Sequence, residues 1–165
     1  METGNQDAGL TAAGVVLGVG IGGFFDGIVF HQLLQWHHLL SGWRLPSNVE
    51  NLEANTLWDG LFHVLAFAFV AAGLWLLWRA ARRRHVAWSG AGFAGALLMG
   101  WGGFNLVEGL VNHHLLGLHH VNETVPPDQW AFWDWGFILW GAVFLVLGRA
   151  LTLSARRTAP VESRA

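Results

Sequence analysis

The chain has 165 residues, of which 53% are hydrophobic and 12% carry a formal charge, and its net charge is -2. Soluble domains carry charge on roughly a quarter of their residues, so this composition excludes an ordinary soluble surface and predicts a single membrane domain over 1–165. The slight negative charge argues against nucleic acid as a partner. The absence of Cys excludes disulfides, thiolate metal ligands and cysteine nucleophiles.

Long apolar stretches follow one another along the chain, at about 10–40, 57–78, 86–118 and 130–151. Each reaches the roughly 20 residues that a helix needs to cross the hydrocarbon core. Because lipid offers no partners for free backbone groups, helices are the expected form. The predicted fold class is therefore all-α, an integral membrane four-helix bundle, followed by a cytoplasmic tail at 152–165.

The distribution of arginine predicts the orientation of these helices. Arginines follow the second and fourth stretches, at Arg79, Arg82, Arg83, Arg84, Arg149, Arg156 and Arg157. The connections 41–56 and 121–129 contain only Arg44. By the positive-inside rule both termini face the cytoplasm, and these two connections lie on the outer side of the membrane.

An internal repeat is the most specific feature of the sequence. Residues 26–38 align without gaps to residues 108–120, and both copies contain an acid, a Gly, a Val, a His, a Leu-Leu pair and a final His-His. Residues 58–63 resemble residues 133–138 more faintly. The repeated unit is therefore predicted to be a helical hairpin.

The two hairpins would occupy about 10–80 and about 86–151, and they would have the same orientation in the membrane. A pseudo-two-fold axis along the membrane normal is the natural packing for such parallel repeats. In this arrangement the motifs of all four helices meet at the outer end of the bundle.

The residues that meet there can ligate a metal. Ionisable groups inside a bilayer are costly, and they usually face the protein interior and mark a function. Imidazole together with carboxylate suits Zn, Fe, Mn or Cu(II). The candidate ligands are Asp26, His31, Asp59, His63, Glu108 and His113. Further candidates, for which a solvent-wetted or purely structural role is an equal alternative, are His37, His38, His119, His120 and Asp134.

Helical geometry constrains this ligand set. Asp59 and His63 are four residues apart and share one helix face, so they form the cleanest pair. Asp26 and His31 are five residues apart, which separates them by roughly 140° on an ideal α-helix. Either one of the two faces the bundle centre and the other a neighbouring helix, or a local bulge near Gly27 brings them together.

Three motifs carry a resemblance to a known family. They are Asp-Gly-Ile-Val-Phe-His-Gln at 26–32, Asp-Gly-Leu-Phe-His at 59–63 and Asn-Leu-Val-Glu-Gly-Leu-Val-Asn-His-His at 105–114. The chain resembles, from about Gly14 to Leu151, the bacterial membrane proteins catalogued as domain of unknown function 2243. The resemblance implies a bacterial inner-membrane protein of four spans, and it identifies no catalytic residue. The resemblance also implies a possible association with oxidase assembly factors, which keeps copper or haem handling open.

The leading hypothesis is a membrane protein that binds one or two transition-metal ions (Zn, Fe or Cu) facing the periplasm, as an oxidoreductase or hydrolase. Three alternatives fit the same residues. One is a metal carrier or insertion factor that serves a respiratory or metal-handling partner, with the His-His pairs as the groups that first capture the metal. The others are a haem b protein with paired axial histidines and a proton or ion pathway.

Overall fold

The computed structural model describes residues 3–83 and 88–158. Helix α1 (Thr3–Phe25) continues directly into a first π-helix (Asp26–Leu33), and α3 (Gly90–Glu108) continues into a second (Gly109–Leu115). The other long helices are α2 (Val49–Ala81) and α4 (Trp130–Thr158), the latter preceded by a 3-10 turn at Pro127–Gln129. The described ranges contain no strand, and the prediction of an all-α fold is confirmed.

Four helices are long and apolar enough to span a membrane, at Ala8–Leu33, Val49–Ala81, Gly90–Leu115 and Pro127–Arg157. This agrees with the predicted number of spans, although their boundaries differ. Helix α2 begins eight residues before the apolar stretch at 57–78, because Asn48 caps its N-terminus by accepting a hydrogen bond from the Asn51 N–H.

The C-terminal segment predicted as a tail, 152–165, is helical as far as Thr158, since α4 continues without a break. Thr152 lies in this continuation and is buried, and its hydroxyl donates a hydrogen bond to the Gly148 carbonyl. Residues 159–165 lie outside the described part of the chain, as do residues 84–87, which include Arg84.

Helices α1 and α3 form the centre of the bundle, with α2 packed against α1 and α4 packed against α3. Glycines allow the central pair to approach closely. A Cβ added to Gly18 would overlap the Leu97 carbonyl oxygen, and one added to Gly100 would overlap the Val15 carbonyl oxygen. This is the small-residue contact typical of membrane helix pairs.

We expect the substitution Gly100→Val to destabilise the protein by roughly 1–3 kcal/mol, because the added carbons cannot fit without separating α1 from α3. Gly103→Val is the matched control, since a Cβ at Gly103 on the same helix meets nothing within 4 Å. Unfolding in detergent by added dodecyl sulfate, followed by circular dichroism, measures the difference. Equal stability of the two variants would contradict the close contact.

Each π-helix ends in a left-handed turn that reverses the chain. Gln35 has φ 50° and Gly117 has φ 56°, and these two residues occupy aligned positions of the repeat. Beyond each turn, the Trp36 N–H donates to the Phe30 carbonyl and the Leu118 N–H donates to the Asn112 carbonyl. Such turns resemble the left-handed caps that end helices.

The reversals explain why the helical parts of the first and third spans end at Leu33 and Leu115 rather than at about 40 and 118. The reversals also determine the positions of the histidines at the end of each motif. The chain folds back over the end of the bundle, so that His37 and His119 enter its interior.

Candidate metal centre

The two π-helices bring acid and imidazole together on one face. Residues five apart are successive turns of a π-helix, because its hydrogen bonds run from i to i+5. His31 Nε2 lies 3.2 Å from Asp26 Oδ2, and His113 Nε2 lies 3.1 Å from Glu108 Oε2. Of the two arrangements that the sequence allowed, the structure therefore has the local bulge. All four side chains are buried.

Asp59, on α2, fixes the orientation of two histidines in the first copy of the motif. Its carboxylate accepts hydrogen bonds from His31 Nδ1 at 2.8 Å and from His38 Nδ1 at 2.7 Å. It also accepts the backbone N–H of Leu39 at 2.8 Å. Asp59 is only 1% exposed, and both of its oxygens are engaged. Asp59 thus orients both imidazole rings through their Nδ1 atoms. Carboxylates commonly orient metal-binding imidazoles in this way.

Asp134, on α4, has the corresponding place in the second copy. It accepts hydrogen bonds from His120 Nδ1 at 2.6 Å and from the Val121 N–H at 2.9 Å. His113 Nδ1 lies 3.6 Å from Asp134 Oδ1, a longer contact than the one between His31 and Asp59. The two copies of the motif therefore make matching contacts, one with α2 and the other with α4.

His37 and His119 form a stacked pair between the two copies. Their ring centroids are 4.3 Å apart and their planes differ by 7°. His37 Nδ1 donates to the Val121 carbonyl at 2.8 Å, and His119 Nδ1 donates to the Leu39 carbonyl at 3.0 Å. Each ring is therefore fixed by the backbone of the opposite copy, and neither is a surface histidine.

The hydrogen bonds assign the tautomers of these rings. A carbonyl or ionised carboxylate oxygen only accepts, so Nδ1 carries the proton in His31, His37 and His119. The lone pair then stays on Nε2 of His37, whereas Nε2 of His31 and of His119 also faces a carboxylate, Asp26 Oδ2 and Glu108 Oε1. Oxygen and nitrogen atoms at the centre that make no hydrogen bond of good geometry are Asp26 Oδ2, His31 Nε2, His37 Nε2, Glu108 Oε2, His113 Nδ1 and His113 Nε2. Four of them form the two acid–imidazole contacts at 3.1–3.2 Å, and His37 Nε2 has no such contact. Each unpartnered buried group costs about 1–3 kcal/mol. A positively charged ligand would interact favourably with these oxygen and nitrogen atoms.

These atoms are close enough to share an ion. Ligand atoms of His31, His37 and His119 all lie within 4.8 Å of one another, and so do those of Glu108, His113 and His119. We call these the imidazole triad and the carboxylate triad. Zinc binds nitrogen and oxygen at about 2.0–2.2 Å, so two ligands of one ion lie at most about 4.4 Å apart, and atoms separated by up to 4.8 Å reach this spacing with side-chain shifts of a few tenths of an ångström. His119 belongs to both triads.

His37 and His119, which both lie outside the membrane-spanning segments, differ in charge preference. Burial, followed by the neighbouring His119 and His31 rings, holds the pKa of His37 well below its usual value of 6.5, so its ring is neutral. Burial also opposes protonation of His119, but the hydrogen bond and the charge of Glu108 outweigh it and raise the pKa of His119. Glu108 therefore favours positive charge at the centre of the cluster.

Several predicted ligands lie outside the two triads. His63 is half-buried, and its Nδ1 donates to the Asp59 carbonyl of its own helix at 2.7 Å, so the predicted Asp59–His63 pair does not converge through its side chains. His38 and His120 are partly exposed and bound to Asp59 and Asp134. These three histidines therefore surround the centre without entering it.

Asn105, three residues before Glu108 on α3, is a buried residue that the ligand prediction did not include. It is 1% exposed, and neither its amide oxygen nor its amide nitrogen has a hydrogen-bond partner. Asn105 precedes Glu108 by three residues on α3, a spacing that places both on one helix face. This spacing is the signal in the sequence that could have identified it.

The fold and the cluster define a multi-span membrane protein with a buried histidine and carboxylate centre. The family described as "Predicted membrane protein (DUF2243)" matches residues 13–155. The chain belongs to this family, which confirms the resemblance found in its motifs. The comparisons gave no match among curated proteins and none among solved structures.

Proposed function

We propose that the protein is a bacterial inner-membrane metalloprotein whose buried centre binds one or two transition-metal ions near the periplasmic face. The observation that carries this proposal is the convergence of five buried side chains, His31, His37, Glu108, His113 and His119, whose ligand atoms form the two triads. The arginines at the opposite ends of the helices support the orientation, because such residues favour the cytoplasmic side.

The donor set supports catalysis by the bound metal. The carboxylate triad offers two imidazoles and one carboxylate. Zinc hydrolases use such a set with an open position for water, and non-haem iron oxygenases use it with open positions for oxygen. The centre is therefore suited to an oxidoreductase or a hydrolase. In either case Asp26 lies beside His31, where a further carboxylate can bind the metal or hold a proton.

The burial of the centre favours a permanently bound metal over one that the protein passes on to a partner. His31, His37, His113 and His119 are each at most 4% exposed, whereas a carrier needs ligands that can exchange. His38 and His120, the partly exposed members of the His-His pairs, are already bound by Asp59 and Asp134. A haem between histidines of the centre is also disfavoured, because the centroids of neighbouring rings are 4.3 Å apart.

Metal analysis of protein purified without chelators tests the proposal. We expect at least one Zn, Fe, Mn or Cu ion per chain, and we expect His113→Ala to lower this content. His114→Ala is the matched control, since its ring lies on the same π-helix but donates to the Gly109 carbonyl and belongs to neither triad. A metal-free wild type that stays metal-free after incubation with each ion would overturn the proposal, and proton flux in such protein would favour the pathway alternative.

A further inference from the structure

A half-open groove lies beside the centre, between the first π-helix with its following turn and helix α4. Its volume is about 260 Å³. Val121 and Gly136 form part of its wall, and most of the remainder is aromatic: Phe30, Trp36, Phe132, Trp133, Phe137 and Trp140. We call it the aromatic groove.

The aromatic groove is separated from the metal centre by a single layer of side chains. The Phe137 ring lies 5.4 Å from the His113 ring, and the Phe30 ring lies 6.5 Å from the His37 ring, between centroids. Val121, also in the wall, supplies the carbonyl that fixes His37. A molecule in the groove would therefore contact residues that hold the ligands of the centre.

The shape and chemistry of the aromatic groove fit one ring. Apolar cavities of about 150 Å³ in proteins bind benzene, so a space of about 260 Å³ accommodates a single substituted ring. Almost no polar surface lines it, which excludes a charged ligand. Aromatic walls add edge-to-face and offset-stacked contacts for a ring, and an acyl chain gains none of these.

The walls of the groove are preformed. The Phe30 and Trp36 rings stack with centroids 5.0 Å apart, and Trp36 meets Trp133 at the same distance. On the outer side Phe132 is 76% exposed, so the groove opens on the surface of α4 that faces the lipid. A ligand can therefore enter from the bilayer without any rearrangement of the helices.

Gly136 keeps the groove open. A Cβ added there meets nothing within 4 Å. The aligned position of the other hairpin carries Leu61, although the neighbouring rings match, with Phe62 packed on His31 as Phe137 is packed on His113. Because a Cβ at Gly136 meets no neighbouring atom and the matching position on α2 carries a leucine, we expect Gly136→Leu to fill the groove without disturbing the fold.

We propose that the aromatic groove binds a neutral, lipid-soluble compound with one six-membered ring, admitted from the bilayer and held beside the centre. This binding site depends on the aromatic walls and on Gly136, and it does not depend on a bound metal.

Fluorine NMR of 4-fluoroanisole with the purified protein in detergent micelles tests the proposal. We expect the wild type to broaden the probe signal beyond the effect of empty micelles, and unlabelled anisole to reverse the broadening. Gly136→Leu should weaken binding at least about tenfold, since it replaces the ring with side-chain carbons. Gly60→Leu is the matched control, because a Cβ at exposed Gly60 on α2 also meets nothing within 4 Å and Gly60 does not line the groove.

Three further outcomes decide between explanations. Equal binding by Gly136→Leu and the wild type, with both folded by circular dichroism, would overturn the proposal. Binding of 1-fluorooctane as tight as that of the ring compound would assign the groove to lipid chains instead. Wild-type protein treated with a chelator should bind 4-fluoroanisole unchanged, so the groove can be established even where the metal proposal fails.

Discussion

Replacing His119 with alanine should abolish the proposed metal binding almost completely and lower the affinity more than about 100-fold, because loss of a residue that only orients a ligand already costs about 10–100-fold. His119 is the one side chain common to the imidazole triad and the carboxylate triad. Its removal also leaves Glu108 Oε1 without its 3.0 Å contact to the imidazole. Equilibrium dialysis against the metal found in the native protein measures the change.

Two comparisons sharpen this experiment. His63→Ala should retain the wild-type metal content, because its ring lies outside both triads. His31→Ala and His113→Ala each remove a ligand from only one triad, so a centre with two ions should lose about half of its metal in each of these variants. Full metal content in His119→Ala would contradict the assignment of ligands, whatever the behaviour of the other variants.

The second large effect concerns stability. Asp59→Ala should reduce the free energy of unfolding by about 3–5 kcal/mol, the usual cost of removing one partner from a buried charged pair. Three donors, from His31, His38 and the Leu39 backbone, would lose their acceptor in a site that water does not reach. Dodecyl sulfate unfolding of the apo protein separates this effect from metal binding.

Asp59→Asn refines the prediction. Its amide oxygen can still accept one hydrogen bond, but its amide nitrogen would face a donor, so we expect a smaller loss of stability than with Asp59→Ala. Asp128→Ala is the control, because this carboxylate is exposed in the turn before α4. A loss below 1 kcal/mol in Asp59→Ala, similar to that of the control, would show that the carboxylate does not hold the histidines in place.

The number of spans could be predicted from the sequence because hydropathy is a local property and lipid leaves the backbone few alternatives. The acids and histidines of the repeat could be predicted for the same reason, since an ionisable group in a bilayer needs an interior partner. Both arguments need only the residue types and their positions along the chain.

The geometry of the site could be predicted only in part. The spacing of five between Asp26 and His31 is regular for a π-helix, but a wheel of 3.6 residues per turn separates the two residues, so the sequence left two arrangements open. The positive φ that turns His37 inward falls on Gln35, a residue type that gives no signal for it. Its counterpart Gly117 does carry that signal, because glycine adopts this conformation without strain.

His63 illustrates a different limit of prediction from sequence. Its spacing from Asp59 does place both residues on one face of α2, as predicted. The imidazole nevertheless donates to the carbonyl of its own helix, and a contact of this kind depends on the rotamer rather than on spacing. Sequence patterns predict which face a side chain occupies, and tertiary packing decides which of its atoms is available.

Two hydrogen bonds link the hairpins, one from His37 to the Val121 carbonyl and one from His119 to the Leu39 carbonyl. They can form only after both hairpins have been synthesised. The first hairpin leaves the ribosome before the second has been synthesised, and at that moment His37 has no Val121 carbonyl to fix its ring. Neither half can form the stacked pair alone, so the pair is complete only when both halves have been inserted. Formation of the stacked histidine pair therefore depends on the synthesis of both hairpins.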